Sequence, residues 1–328
     1  LKEGSTFTMK SGTIDRFGGT YSISVINLGR PNATFNMEGG VIQNCTTPNS
    51  LAGIAVGITS SGNTFNMTGG ELKDCATSGS GVIYASNATV HIGGSAKITK
   101  NKSSTGGTFY VKNGTRLTID GNAVIEGNES SGNGGAIYAC LGSQEGDKPS
   151  AVEIGGSAKI SGSTSTGNGG AIYVTGGSTL TVKESAKITG NATSGVPNGY
   201  GGAIYADTAT ITMTGGTIEN NRAKNGNSGN ELYLTGNATF TMSGGKILHT
   251  DNRQASQWTI SLRSNARLSI SDGKIDLSAA PYAIELIDNA ILTATGGTII
   301  ADGTTAAFKL AGNAVVYPKK AAVYAGEN

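Results

Sequence analysis

The sequence predicts an all-β fold: a single-stranded, right-handed parallel β-helix of about eleven coils of ~28 residues, with three short strands in each coil. Three observations carry that expectation. A phrase of the form TFTMxxGxI returns eleven times along the chain. Each run within it alternates apolar and polar residues, as a half-buried strand does. Nowhere does the chain sustain the 3.6-residue period of a helix.

The first strand of a coil reads "TFTM" at its clearest, in forms from "TFNM" at 34–37 through "TLTV" at 179–182 to "TFTM" at 239–242. Its apolar residues face inward, so Phe35 and Met37 are expected to stack over Phe65 and Met67. A Gly-rich corner follows, then a short strand like "AKIT". That strand closes on Ile14, Ile42, Leu72, Ile98, Ile125, Ile160, Ile188, Ile218, Ile247, Ile275 and Ile299. Spacings of 24 to 35 residues, mostly 26 to 30, are too short for propeller blades. Three residues past each Ile the chain places Phe17, Cys45, Cys75, Asn101, Asn128, Ser163, Asn191, Asn221, Thr250, Ser278 and Asp302. Asparagines there are expected to stack amide on amide and satisfy backbone groups left unpaired by the bend. Cys45 and Cys75 stand on adjacent coils, at a spacing within the range a disulfide tolerates, so they are a disulfide candidate; buried free thiols are the alternative.

The last strand carries "GVIYAS", "GTFYVK", "GAIYAC", "GAIYVT", "GAIYAD" and "NELYLT" on six successive coils. Alternation points Tyr84, Tyr110, Tyr138, Tyr173, Tyr205 and Tyr233 outward as one ladder, with Ala136, Ala171 and Ala203 expected beside them. The column then continues as Ser261, Glu285 and Lys309. Stacked tyrosines stabilise a sheet face by cross-strand packing. They also make a strip on which sugars or a protein partner can sit, and Trp258 is added to that candidate ligand-binding set.

Composition narrows the function classes. Glycine is 52 of 328 residues, as tight coil corners require, and charged residues are only 14%, with a net charge of +2. The longest basic runs are pairs, so nucleic acid is not expected as a partner. No apolar stretch approaches the ~20 residues of a membrane-spanning helix, and membrane insertion is not expected. Three cysteines fit no CxxC spacing, and His91 and His249 are too distant in sequence to suggest a metal centre; no metal or cofactor is expected. Residues 1–328 are read as one solenoid domain, expected to be a monomeric module, and as an excerpt of a longer surface protein.

The pairing of GGAI with IxxN (ITKN ending at Asn101, IEGN at Asn128, ITGN at Asn191, IENN at Asn221) resembles the GGAI and FxxN repeats of polymorphic outer-membrane proteins. Ile stands here where that family has Phe, and full GGAI occurs three times. The same coil-stacking pattern is shared by pectin-lyase-like surface proteins. The resemblance implies an extracellular adhesin-type or stalk module, secreted or held at a bacterial cell surface, with a glycan or host-surface protein as its partner. Some β-helix antifreeze proteins carry outward TxT arrays like Thr179/Thr181. Here Arg116, Glu153, His91 and Arg267 interrupt the array.

Pectin-lyase-like folds also include enzymes, so a glycoside hydrolase or polysaccharide lyase is the alternative. A glycosidase needs two carboxyls about 5–9.5 Å apart. Asp207, Glu231 and Glu285 are the acids expected on the tyrosine face, but strand geometry separates Asp207 from Glu231 by roughly 13–14 Å and Glu231 from Glu285 by about 12 Å. Remaining candidates sit on loops: Glu145, Asp147 and Lys148 in the insertion "CLGSQEGDKPS", and His249, Asp251 and Arg253 in "HTDNRQASQW".

Overall fold

A computed structural model of the chain describes residues 1–328 apart from 19–23, 48–53, 196–198, 225–228, 251–257, 302–305 and 326–328. The described residues contain no helix, and every strand pairing is parallel to the equivalent strand of the next coil. The chain is therefore a parallel β-solenoid. Its tyrosine strands stack as one eleven-stranded sheet, running from Ile26–Leu28 to Ala306–Leu310.

The repeating apolar positions build a continuous core. Phe35 pairs with Phe65 and Met37 with Met67, in register, and the rings of Phe7, Phe35 and Phe65 stack at 5.4 and 5.2 Å. The Ile column is buried from Ile42 to Ile299. The TxT strands and the short AKIT-type strands belong to one large sheet bent at the Gly corner. In three coils the two fuse into single ten-residue strands, Thr210–Glu219, Thr239–Leu248 and Arg267–Asp276.

A fourth strand, only two residues long, adds to the three expected. It runs as Thr46–Thr47, Ala76–Thr77, Lys102–Ser103, Glu129–Ser130, Thr164–Ser165 and Ala192–Thr193, stacked in a sheet of its own. Its inward residues are hydroxyls: Thr47, Thr77, Ser103, Ser130, Ser165 and Thr193 are all buried. A two-residue polar strand has no period to detect, which is why the sequence does not announce it.

The corner before this small sheet depends on a left-handed residue two positions after each Ile. Arg16, Asn44, Asp74, Lys100, Gly127, Gly162, Gly190 and Asn220 all have φ between 53° and 65°. The column ends there. On the next two coils the equivalent residues, His249 and Leu277, are buried and not left-handed, and no two-residue strand follows them among the described residues. The solenoid changes cross-section between Asn221 and His249.

Candidate functional site

The six tyrosines form the ladder expected of them. Tyr84, Tyr110, Tyr138, Tyr173, Tyr205 and Tyr233 are paired in register on successive coils. Their rings stack at centroid distances of 5.7, 4.9, 4.9, 5.0 and 5.2 Å, with planes within 20° of parallel. Each side chain is half-buried. Since neighbours cover both faces of every interior ring, the ladder offers ring edges and phenol hydroxyls to its surroundings, not flat ring faces. Burial pushes the hydroxyls of Tyr110, Tyr138, Tyr173, Tyr205 and Tyr233 above the usual tyrosine range.

Both ends of the ladder are defined. Beyond Tyr84 the column continues as Gly57 and Asn27, and Lys112 Nζ lies 5.6 Å from the Tyr84 ring centre. Beyond Tyr233 it continues as Ser261, Glu285 and Lys309. Tyr200, absent from the expected ladder, packs tilted on Tyr233 at 4.7 Å. It follows a Gly, and its N–H donates to Asn168 Oδ1 at 3.1 Å, which anchors it beside the column. The insertion 141–149 borders the ladder on its C-terminal side. Gly114 N–H donates to the Lys148 carbonyl at 2.7 Å on one coil. Leu141 covers Gly176 on another, where a Cβ would meet the leucine Cβ at 2.8 Å.

Two expectations about this face are corrected. Ala136, Ala171 and Ala203 do not flank the tyrosines; they are fully buried, as are the Ile residues that follow them. The chain bends where it enters this strand, so two consecutive side chains point inward and strict alternation fails. Glu231 occupies the same position and is likewise turned into the interior, with no exposed surface. Glu285 does stand in the tyrosine column, but as a covered carboxylate. Arg263 reaches one oxygen at 2.6 Å, Lys309 the other at 2.8 Å, and Ser261 Oγ donates at 3.1 Å.

Glu231 has a partner set that spacing did not suggest. Its Oε1 accepts the Asn221 N–H at 3.1 Å and faces His249 Nδ1 at 2.8 Å, while Oε2 accepts Asn221 Nδ2 at 2.7 Å. It thereby terminates the asparagine ladder. In that ladder Asn101 Oδ1 accepts the Cys75 N–H, Asn128 Oδ1 that of Asn101, Asn191 Oδ1 that of Ser163, and Asn221 Oδ1 that of Asn191. Each amide also donates to the carbonyl of the preceding coil's Leu or Ile: Leu72, Ile98, Ile160 and Ile188. Burial raises the Glu231 carboxyl above the usual range, against the opposing pull of His249 and Asn221. Thr250, the expected next rung, is exposed and bonds to Asn220 instead.

The remaining candidates are not brought together. Asp207 lies in the column beside the tyrosines, three rungs from Glu285, roughly 15 Å at strand spacing. Glu145 is exposed, and Asp147 caps its own turn by accepting the Gln144 N–H at 2.8 Å. Trp258 is buried and packs tilted on Tyr282 at 5.1 Å. Asp251 and Arg253 lie outside the described residues. Among the described residues no three His, Cys, Asp or Glu side chains gather as metal ligands. Cys45 and Cys75 are stacked, buried and unbonded. Cys45 Sγ donates to the Gln43 carbonyl at 3.2 Å and Cys75 Sγ to the Lys73 carbonyl at 3.4 Å, and the closeness of the two thiols favours ionisation of Cys45 and disfavours that of Cys75. Cys140 is buried beside the ladder, its Sγ 4.0 Å from Tyr110 Oη.

No protein-family model matches this chain, and neither does any curated protein or solved structure.

Proposed function

We propose that this chain is an extracellular adhesin-type or stalk module of a bacterial surface protein, and that it engages a glycan or a host-surface protein through the tyrosine ladder. The observation that carries the reading is the ladder itself: six phenols on one half-exposed column, spaced about 5 Å apart over six coils. Packing alone would be met by any β-branched residue at these positions. Hydroxyl-tipped rings repeated at fixed spacing on a rigid sheet suit a linear partner with repeating polar groups. Because interior ring faces are occupied, recognition runs along hydroxyls and ring edges rather than by laying a sugar flat on a ring. The resemblance to polymorphic outer-membrane protein and pectin-lyase-like repeats supports the surface location.

The test is to incubate the purified chain with a pool of host and plant oligosaccharides and read retained and newly released species by mass spectrometry. Retention that disappears when Tyr138, Tyr173 and Tyr205 are together changed to Ser, with the β signal in circular dichroism intact, supports the reading. Retention unchanged in that variant leaves the ladder a packing device. Release of shorter products makes the chain an enzyme and overturns the reading.

A further inference from the structure

On the face formed by the AKIT-type strands, coil stacking assembles residues that the sequence keeps 27 or more positions apart. Strand register aligns Lys97, Val124, Lys159, Lys187, Thr217, Lys246 and Lys274 in one outward column. Lys97 is compensated by Glu71 on the neighbouring rung at 3.8 Å, and Lys274 by Asp276 at 2.8 Å. The same pairing between coils recurs where Lys102 meets Glu129 at 2.9 Å. The middle of this column breaks it. Lys187 stacks directly on Lys159, and neither they nor Lys246 forms an ion pair with a described residue. Like charges on facing rungs are destabilising, so this arrangement costs stability that an anion would return.

The surface beside the column is shaped for an extended occupant. The Gly-rich corner leaves a shallow trough floored by Gly215, Gly216 and Gly245 and edged by Lys187, Thr217 and Lys246, with Glu184 at one side. Glu184 is itself engaged by Lys183 at 3.6 Å. Across the corner stand the outward hydroxyls of Thr181, Thr212 and Thr241. The adjoining column carries Glu126 and Glu219, neither within ion-pairing distance of these lysines.

We infer that this strip, Lys159, Lys187 and Lys246 with the glycine trough beside the last two, is a docking site for a linear polyanionic glycan, a carbohydrate chain bearing sulfate or carboxylate groups. The strip is one side chain wide and runs along the solenoid axis, with Lys187 and Lys246 two rungs apart, about 10 Å. That suits anionic groups spaced along a single chain. It has no aromatic platform for stacking bases and no apolar rim for entering a lipid surface. The site is on a different sheet from the tyrosine ladder and does not depend on it.

The probes are dextran sulfate and polygalacturonate, with neutral dextran and a 30-base-pair DNA duplex alongside, each titrated against the whole chain by calorimetry. Expected is binding of at least one charged glycan, none of neutral dextran, and about a tenfold loss of affinity between 50 and 200 mM NaCl. Changing Lys159, Lys187 and Lys246 together to Gln is expected to weaken binding about tenfold or more. Changing Lys2, Lys102 and Lys320 to Gln, the same loss of charge elsewhere, is expected to leave it within about twofold. Equal binding of neutral dextran, undiminished binding by the strip variant, or tighter binding of the duplex would each overturn the inference.

Discussion

Tyr173 sits between two other rings, so its phenolate would form in a half-buried stack with a carboxylate, Asp207, nearby. The same burial acts on Tyr110, Tyr138, Tyr205 and Tyr233. In the unfolded chain these groups ionise at their ordinary value of 10.0, while in the folded chain they hold their protons to higher pH. The folded state therefore binds more protons above pH 10, and stability must fall as pH rises through that range. Absorbance titration near 295 nm should resolve five of the eleven tyrosines as late-ionising. Urea midpoints should decline above pH 10, and more gently in the triple Ser variant. Glu231 is a second residue-scale case of burial, a carboxyl placed wholly inside the solenoid and raised above its usual range. Replacing it with Leu orphans the Asn221 N–H and the facing His249 nitrogen, while Asn221 Nδ2 keeps the Ile188 and Glu219 carbonyls, and should cost about 3–5 kcal/mol by urea unfolding, the range for removing one partner of a buried pair.

At the scale of elements, the asparagine ladder is a column of side chains doing what backbone pairing does in the sheets. It closes each corner onto the next coil. Its interruption is informative: at Ser163 the rung lacks a carboxamide, and the buried Ser163 hydroxyl has no hydrogen-bond partner. A Ser163→Asn change restores the amide that Asn101, Asn128, Asn191 and Asn221 each supply. It should stabilise the chain by about 0.5–1.5 kcal/mol, the net worth of one intramolecular hydrogen bond. The converse, Asn191→Ala, removes the acceptor of the Ser163 N–H and the donor to the Ile160 carbonyl. It should cost about 1–3 kcal/mol for each buried group left unsatisfied. Thermal unfolding of the two variants side by side decides the matter, and an unstable Ser163→Asn chain would mean the corner there is too tight for the longer side chain.

Across the whole molecule, each coil touches chiefly its two neighbours, so stability is expected to behave as a row of coupled units rather than as one block. Ile188 lies in the continuous core column, between Ile160 and Ile218. Ile188→Ala should cost about 2–5 kcal/mol. Hydrogen exchange should show the loss of protection centred on that coil and its neighbours, fading toward both ends. Uniform loss across all eleven tyrosine-sheet strands would instead reveal a single cooperative unit. The same geometry explains how two extended surfaces arise on one rod. Any residue type repeated every coil becomes a stripe along the axis, whether tyrosine on one sheet or lysine on another.

The repeat spacing, the inward Phe, Met and Ile columns, the outward tyrosine ladder and the asparagine corners were all legible in the chain, because each rests on local alternation plus a fixed period. Local alternation fails where backbone bends, and there the sequence misleads. Ala136, Ala171, Ala203 and Glu231 read as outward but lie inside, since the chain turns immediately before the tyrosine strand. The two-residue strand was invisible because it has no period to show. The lysine strip was equally hidden, because charge patterning along a sequence registers neighbours, whereas Lys159, Lys187 and Lys246 become neighbours only when coils stack. By itself the sequence determined which residues repeat and which face water over most of each strand. Only the tertiary structure decided where the solenoid changes cross-section, that Glu231 and His249 close the asparagine ladder there, and which charges go uncompensated, because each depends on contacts between coils.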